Sequence, residues 1–137
     1  MSEITVAQFS DRFLALVFGA RDLPKKALDL NILLLSSVLG LEAGREYSEG
    51  ELNAELQRWI LEFGRNFGLD HVTLRRFLID EKYLRRDPAG KAYQLNPAGP
   101  RFSYDPAVRS LDLQLLIAEA RQERAKKKQE HMEQSGQ

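Results

Sequence analysis

Apolar residues recur every three or four positions in five separate stretches of the chain, which predicts five helices. The first spans about residues 6–18, because Thr5 and Gln8 have the spacing of a capping box and Gly19 can end the helix. The second begins near Pro24, whose ring preorganises a helix start. Apolar residues cover more than one face of this second helix, which predicts that it is central. They are Leu28, Ile32, Leu33, Leu34, Leu35, Val38 and Leu39.

Two further helices and a pair of strands are predicted next. Ser48 and Glu51 have capping-box spacing, so the third helix begins there. Its apolar residues are Leu52, Leu56, Trp59, Ile60 and Phe63. Asp70 can cap a fourth helix, whose inward residues are Leu74, Phe77 and Leu78. Residues 83–86 and 92–95 are predicted strands around the turn sequence DPAG, in which proline comes early and glycine late.

The C-terminal helix is apolar on more than one side. Asp105 as a cap and Pro106 at the first helical position predict where it begins. One seam consists of Val108, Leu111, Leu115 and Ala118, and other faces carry Leu113, Leu116, Ile117 and Ala120. Such a helix is usually covered on several sides, here by the N-terminal helix or by another subunit. Beyond Arg121 the sequence is nearly all polar and is expected to fray into a solvated tail.

The order of helix, short extended link, two helices and hairpin is that of a winged helix. We therefore predict a mostly α protein with a small β-hairpin, whose winged-helix-like core occupies residues 24–96. An accessory helix at residues 1–23 precedes the core, and a connector, a long C-terminal helix and a polar tail at residues 97–137 follow it. At 137 residues, the three regions are expected to form one compact unit.

Composition limits the classes of function. The chain has no cysteine, which excludes disulfides, thiolate catalysis, zinc-cysteine sites and iron–sulfur clusters. The apolar run at residues 32–41 is shorter than the roughly 20 residues that cross a bilayer. No signal-peptide pattern is present, so we expect no membrane partner and a cytoplasmic location. Lys plus Arg number 20 and Asp plus Glu number 20, so DNA binding must rest on a local positive patch.

Several motifs within residues 24–95 together resemble a bacterial domain-of-unknown-function family. They comprise Pro24, Lys25, Lys26, Tyr47, Ser48, Glu49, Glu51, Leu52, Asn53, Asp70, Leu74, Arg75, Arg76, Leu78, Arg86, Gly90 and Tyr93. The resemblance implies a domain of winged-helix type, found alone or attached to small helix-turn-helix repressors of the arsenical-resistance type, and hence a link to transcription. It implies no catalytic residue. The chain departs from the family by the segment RWILEFGRNFG, which alters the helix-turn-helix spacing, and by an added helix at each end.

Arginines of the predicted recognition helix are the first candidate DNA contacts. Helical phase places Arg76 outward together with Thr73, so Arg76 is the candidate contact to a base or phosphate, with a solvated or salt-bridged arginine as the alternative. Arg75 lies on the flank of the same helix. It is expected to pair with a carboxylate of a neighbouring helix, Glu51 or Glu55.

Cations of the hairpin and of the second helix complete the predicted site. Arg85, Arg86 and Lys91 can grip the sugar-phosphate backbone, although cations on edge strands also prevent aggregation. Strand alternation sends Arg85 and Arg86 to opposite faces. Lys25 and Lys26 stand at a helix N-terminus, where a bound anion could meet them together with free amides. Ordinary surface lysines are the alternative at that position.

No enzyme is predicted. The sequence lacks a glycine-rich phosphate loop and a nucleophile elbow. His71 and His131 lie far apart without a metal-ligand spacing, so we expect neither metal nor cofactor. Trp59 and Phe63 fall at helical spacing, so we interpret them as core residues and not as a ligand-binding pair.

Three functions remain open. A transcription-related DNA-binding protein requires a contiguous positive surface, and carboxylates across the recognition face would count against it. A protein-interaction or dimerisation module requires an exposed apolar face on the C-terminal helix, and a ligand-sensing domain requires an enclosed cavity between core and added helices. We also expect a homodimer through the terminal helices, with Leu111, Leu115 and Leu116 at the interface.

Overall fold

The computed structural model describes residues 3–135, most of which lie in five α-helices and three short strands. The helices are α1 (Val6–Gly19), α2 (Ala27–Val38), α3 (Glu49–Trp59), α4 (His71–Asp80) and α5 (Leu113–Ser135). The strands are β1 (Tyr47–Ser48), β2 (Leu84–Arg86) and β3 (Ala92–Leu95). The predicted class, mostly α with a small β-hairpin, is confirmed. Within this described part, no helix is both long enough and apolar enough to span a membrane.

The three strands form one antiparallel sheet in the order β1-β3-β2. The pair β2–β3 is the predicted hairpin, with Leu84 opposite Leu95 and Arg86 opposite Tyr93. The segment expected to be only an extended link contributes β1, in which Tyr47 pairs with Tyr93. β3 is therefore the central strand, and Tyr93 lies between both neighbouring strands.

α2 lies at the centre of the fold, as predicted. Residues 31–38 are all buried, and α1, α3 and α4 pack against the helix. It begins at Ala27 and not near Pro24, and the N-cap residue Lys26 makes no side-chain cap bond. A lysine has no acceptor to offer the free amides of the first turn.

Buried polar side chains on α2 bind the elements that cover it. Asp29 accepts two hydrogen bonds from Arg12 of α1, each of 2.9 Å. Asn31 accepts a 2.8 Å bond at its Oδ1 from the hydroxyl of Tyr83, which precedes β2. Burial raises the pKa of the Tyr83 hydroxyl well above its usual range, so Tyr83 stays a donor. These bonds fix the positions of α1 and of the sheet along α2.

A third such bond joins α2 to α3. Trp59 Nε1 donates to the buried Ser36 hydroxyl at 3.1 Å. α3 then continues as one π-helical turn (Ile60–Gly64) and a 3₁₀ turn (Arg65–Phe67), which contain most of the inserted segment. Gly64 lies against the indole, where a Cβ would be 2.7 Å from Trp59 Cζ3. The insertion therefore needs glycine at this point for the indole to pack.

The N-terminus is joined to the connector between the sheet and α5. Ile4 donates its amide to Ser103 at 2.9 Å and accepts a 2.9 Å bond from the amide of Asp105. Ile4 is fully buried, and Phe13 of α1 packs edge-on against Phe63 of the π-helical turn. The two regions outside the predicted core are thus in direct contact.

α5 begins at Leu113, which corrects the predicted start at Pro106. The Asp105–Pro106 signal opens a 3₁₀ turn (Pro106–Ser110) that ends in extended backbone at Leu111, and this break changes the helical phase. Val108 and Leu111 of the predicted seam do pack into the core, but the seam is wrong within α5, where Leu113 and Ile117 are buried while Leu115 and Ala118 are exposed. α1 provides cover for α5. The helix also continues past residue 121 to Ser135, and the last two residues of the predicted tail lie outside the described part.

The Tyr83–Asn31 bond gives a test of this packing. Tyr83→Phe should lower the free energy of unfolding by about 1–3 kcal/mol, because it leaves a buried amide oxygen without a donor. Urea denaturation followed by circular dichroism measures the change.

The matched control is Tyr104→Phe. Tyr104 is half-buried, and its hydroxyl makes no hydrogen bond within the described residues, so the change should stay within about 0.5 kcal/mol. Equal losses in the two variants would contradict a specific role for the bond to Asn31.

Candidate nucleic-acid interface

The predicted recognition helix α4 is fixed at its start by Asp70. The Thr73 amide donates to Asp70 Oδ1 at 2.7 Å, as the predicted cap requires, and this bond lowers the pKa of the Asp70 carboxyl. Leu74 and Leu78 are fully buried, which sets the rotation of the helix. Thr73 and Arg76 are consequently exposed, as predicted.

Arg75 is held between α3 and the sheet. Its side chain is only 16% exposed, and its Nη2 lies 3.3 Å from Glu49 Oε1. Nη1 donates to Asn53 Oδ1 at 2.6 Å, and the guanidinium carbon lies 5.6 Å from the ring centre of Tyr93. Arg75 thus connects α4 to α3 and β3.

The carboxylate partner of Arg75 is Glu49, which corrects the prediction of Glu51 or Glu55. Glu51 completes the capping box by accepting from the Ser48 amide at 3.0 Å, and it also accepts from Arg45 at 3.0 Å. Those bonds, that of the Ser48 amide first, lower the pKa of the Glu51 carboxyl. Glu55 pairs with Arg58 one turn along its own helix, at 3.7 Å.

Arg86 lies on β2 opposite Tyr93, with its guanidinium carbon 5.8 Å from the ring centre. The hairpin turn passes beside it. Gly90 in that turn has φ +72°, and a Cβ there would lie 2.7 Å from Arg86 Nη2. Glycine is therefore favoured by the backbone conformation, and its lack of a side chain also leaves room for the end of the Arg86 side chain.

Arg76 and Arg86 share one surface groove of about 230 Å³ between α4 and the sheet. Its other lining residues are Glu49, Val72, Arg75, Ile79, Asp80 and Tyr93. Within the described residues, neither Arg76 nor Arg86 has a hydrogen bond or an ion pair. Of the two carboxylates in the groove, Glu49 is bound to Arg75, which leaves Asp80.

The other predicted contacts of the hairpin lie elsewhere. Arg85 lines a second groove with Glu46 and Asp87, so the two consecutive hairpin arginines do face different sides of the sheet. Two carboxylates beside Arg85 make that side less favourable for a phosphate. Lys91 is exposed just before β3 and lines neither groove.

The N-terminus of α2 already has a negative group. Asp29 lies in its first turn, where the helix dipole favours a carboxylate, although its charge is shared with Arg12. Lys25 and Lys26 are exposed and do not line the groove of Arg76 and Arg86.

The predicted dimer interface is only partly exposed. Leu115 is 54% exposed, whereas Leu111 and Leu116 pack against the core of their own chain. His71 lies in the first turn of α4 beside Gln57, with 3.2 Å between Nδ1 and Nε2. The described chain contains no group of three His, Cys, Asp or Glu residues that could hold a metal ion.

Sequence reasoning missed the residues that position the arginines. They are Glu49, Asn53, Gly90 and Tyr93, and all four belong to the motifs that carry the family resemblance. In the fold they meet around Arg75 and Arg86. The clustering of motif residues from separate stretches was the available signal.

Comparison with known families identifies the region that contains this cluster. The model of a family described as "Uncharacterized protein conserved in bacteria" (DUF2087) matches residues 21–95. The comparison with curated proteins found no match, and neither did the comparison with solved structures.

The role of Arg75 can be tested by substitution. Arg75→Lys should lower the free energy of unfolding by about 1.5–3 kcal/mol, because an ammonium cannot reproduce the planar contacts to Asn53 and Glu49. Urea denaturation measures the loss. Arg76→Lys, its exposed neighbour, should change stability by less than about 0.5 kcal/mol. If both variants were as stable as the unmodified chain, Arg75 would not be a structural connection.

Proposed function

The chain belongs to the bacterial DUF2087 family through residues 21–95, and from this premise we propose that it is a transcription-related regulatory protein that contacts DNA. The proposed contact surface consists of α4 and the β2–β3 hairpin. The observation that carries the proposal is the groove in which Arg76 and Arg86 lie together, with no carboxylate partner among the residues that the structure describes.

The topology supports this surface. α2, β1, α3, α4, β2 and β3 follow one another in the order of a winged helix, and the sheet has the strand order β1-β3-β2. In a helix-turn-helix arrangement the later helix lies in the major groove, a role that falls to α4 here. The hairpin becomes the wing. The π-helical and 3₁₀ turns after α3 lengthen the usual short turn, so we expect the angle of α4 to the DNA to differ from that of a standard domain.

The pairing of arginines supports it further. The described ion pairs occupy Arg12, Arg45, Arg58, Arg75 and Arg101. A paired arginine must give up its carboxylate before it can bind a phosphate, whereas Arg76 and Arg86 are free to do so. Arg86 lies in addition beside the ring of Tyr93, with its guanidinium carbon 5.8 Å from the ring centre.

Asp80 acts against the proposal, because a carboxylate repels phosphates. With Glu49 neutralised by Arg75, the groove keeps two free cations against one free carboxylate. Such a small surplus of positive charge favours weak, salt-sensitive contacts to the DNA phosphate backbone. Arg76, on the recognition helix, would then lie nearest to the bases.

The test is fluorescence anisotropy with a labelled 30-base-pair duplex of random sequence, titrated at several salt concentrations. Arg76→Ala/Arg86→Ala should weaken binding and reduce the slope of log K against log salt by about 1.8, or about 0.9 for each lost phosphate contact. Arg21→Ala/Arg58→Ala removes two exposed arginines elsewhere and is the control. No binding at low salt, or equal losses in both double variants, would overturn the proposal.

A ligand-sensing function is the second candidate, favoured by a groove of about 270 Å³. Its walls come from the end of α2, the π-helical turn and the start of α5, including Ser37, Phe63 and Leu113. Residues of the core and of the added C-terminal region both line it, as a sensing domain requires. It is an open groove, however, and not the enclosed cavity that was predicted. Trp59, the single tryptophan of the chain, also lines it.

The sensing candidate predicts a small molecule that both raises the melting temperature and shifts the emission of Trp59. A thermal-shift screen of common metabolites, followed by fluorescence titration, measures both effects. Leu111→Ala should weaken the binding of any hit, because Leu111 forms part of the groove wall. A screen without a hit that meets both criteria would count against sensing.

A further inference from the structure

Residues 121–134 of α5, which we term the C-terminal arm, are exposed on every side. Fourteen helical residues rise about 20 Å, at roughly 1.5 Å per residue. The arm leaves the body at Phe18, whose ring centre lies 5.9 Å from the guanidinium carbon of Arg121 and 4.1 Å from that of Arg124. Beyond this contact the helix extends into solvent.

The arm separates the charges of a neutral chain. Its first eight positions, residues 121–128, contain five cations and one carboxylate. The cations are Arg121, Arg124, Lys126, Lys127 and Lys128, and the carboxylate is Glu123. Glu130 and Glu133 follow the lysines, so the whole arm has five cations and three carboxylates. Of 20 basic and 20 acidic residues in the chain, 15 and 17 remain outside the arm, so a slightly acidic body carries a net positive helix.

The side chains of the arm fit neither a membrane surface nor a coiled coil. A helix that lies on a membrane needs an apolar face, and a coiled-coil seam needs apolar residues spaced three and four apart. The exposed positions in line with Leu115 at that spacing are Ala118, Gln122, Ala125, Gln129 and Met132. Met132 is the single large apolar side chain among these five positions, and with two glutamines and two alanines beside it the line buries too little apolar area for a coiled coil. Charge is therefore the main feature by which a partner can recognise the arm.

The distribution of the lysines favours a partner that surrounds the helix. Lys126, Lys127 and Lys128 project about 100° apart around the axis, and none takes part in an ion pair within the described residues. A flat acidic surface can meet only one of these directions. The grooves of double-stranded DNA are bordered by phosphates on both sides, and the major groove, about 12 Å wide, admits an α-helix.

We infer that the C-terminal arm is a second DNA contact, which binds the phosphate backbone of double-stranded DNA through Lys126, Lys127 and Lys128. This inference deepens the proposed function and rests on it, since both contacts share the duplex as ligand. Because the arm contacts only phosphates, it does not distinguish one DNA sequence from another. It adds affinity and salt dependence to a groove whose own surplus of positive charge is small.

The experiment uses the full chain, the same labelled 30-base-pair duplex and salt from 50 to 200 mM. Lys126→Gln/Lys127→Gln/Lys128→Gln removes the charges, and because glutamine and lysine have similar helix propensities, the arm should stay helical by circular dichroism. We expect the slope of log K against log salt to fall by two to three, or about 0.9 per lost contact. Lys126→Arg/Lys127→Arg/Lys128→Arg keeps the charges and should bind like the unmodified chain.

The outcomes separate the arm from the groove. If the glutamine variant keeps the original slope while Arg76→Ala/Arg86→Ala loses affinity, the inference about the arm is overturned and the proposed function stands. If the glutamine variant loses affinity and Arg76→Ala/Arg86→Ala does not, the DNA contact of the arm is supported and that of the groove is not. Absence of binding by the unmodified chain at 50 mM salt overturns both. If the glutamine variant differs from the unmodified chain in its mass by sedimentation but not in its DNA affinity, the partner of the arm is a second copy of the chain. That result would overturn the inference.

Discussion

The burial of α2 is the constraint on which the rest of the structure depends. A helix that is apolar on several faces must be covered by several elements, and each polar side chain buried with it must find a partner. Its buried Asp29, Asn31 and Ser36 are bound by α1, by the residue before β2 and by α3. Since an unsatisfied buried group costs about 1–3 kcal/mol, these three bonds restrict how far each neighbour can slide along α2.

The positions of the surface arginines follow from that packing. Tyr83 places the sheet against α2, and Arg75 then ties α4 to α3 and to Tyr93. Two adjacent residues of α4 consequently have opposite roles. The guanidinium of Arg75 is bound by neighbouring side chains, while that of Arg76 is exposed and accessible to solvent or a ligand. A structural arginine and an exposed one thus lie side by side within one turn of helix.

Local signals were predictable from the sequence, and long-range pairings were not. The caps at Ser48 and Asp70 depend on residues three positions apart, so their spacing alone identifies two helix starts. The partner of Arg75 depends on which carboxylates are already engaged, and Glu51 is engaged by its own cap. β1 contains two residues and exists only through its pairing with a strand more than 40 residues away. The signal at Asp105 starts a 3₁₀ turn as readily as an α-helix, which is why the phase of α5 was mispredicted.

The separation of charge between body and arm makes this neutral molecule an electric dipole. Lys128 lies seven residues beyond Arg121, or about 10 Å along the helix, and the Debye length at physiological ionic strength is about 8 Å, so the lysines are largely screened from the carboxylates of the body. Near any polyanion the arm is attracted while the body is repelled, and the resulting torque turns the molecule before contact. A net charge of zero therefore conceals a preferred direction of approach.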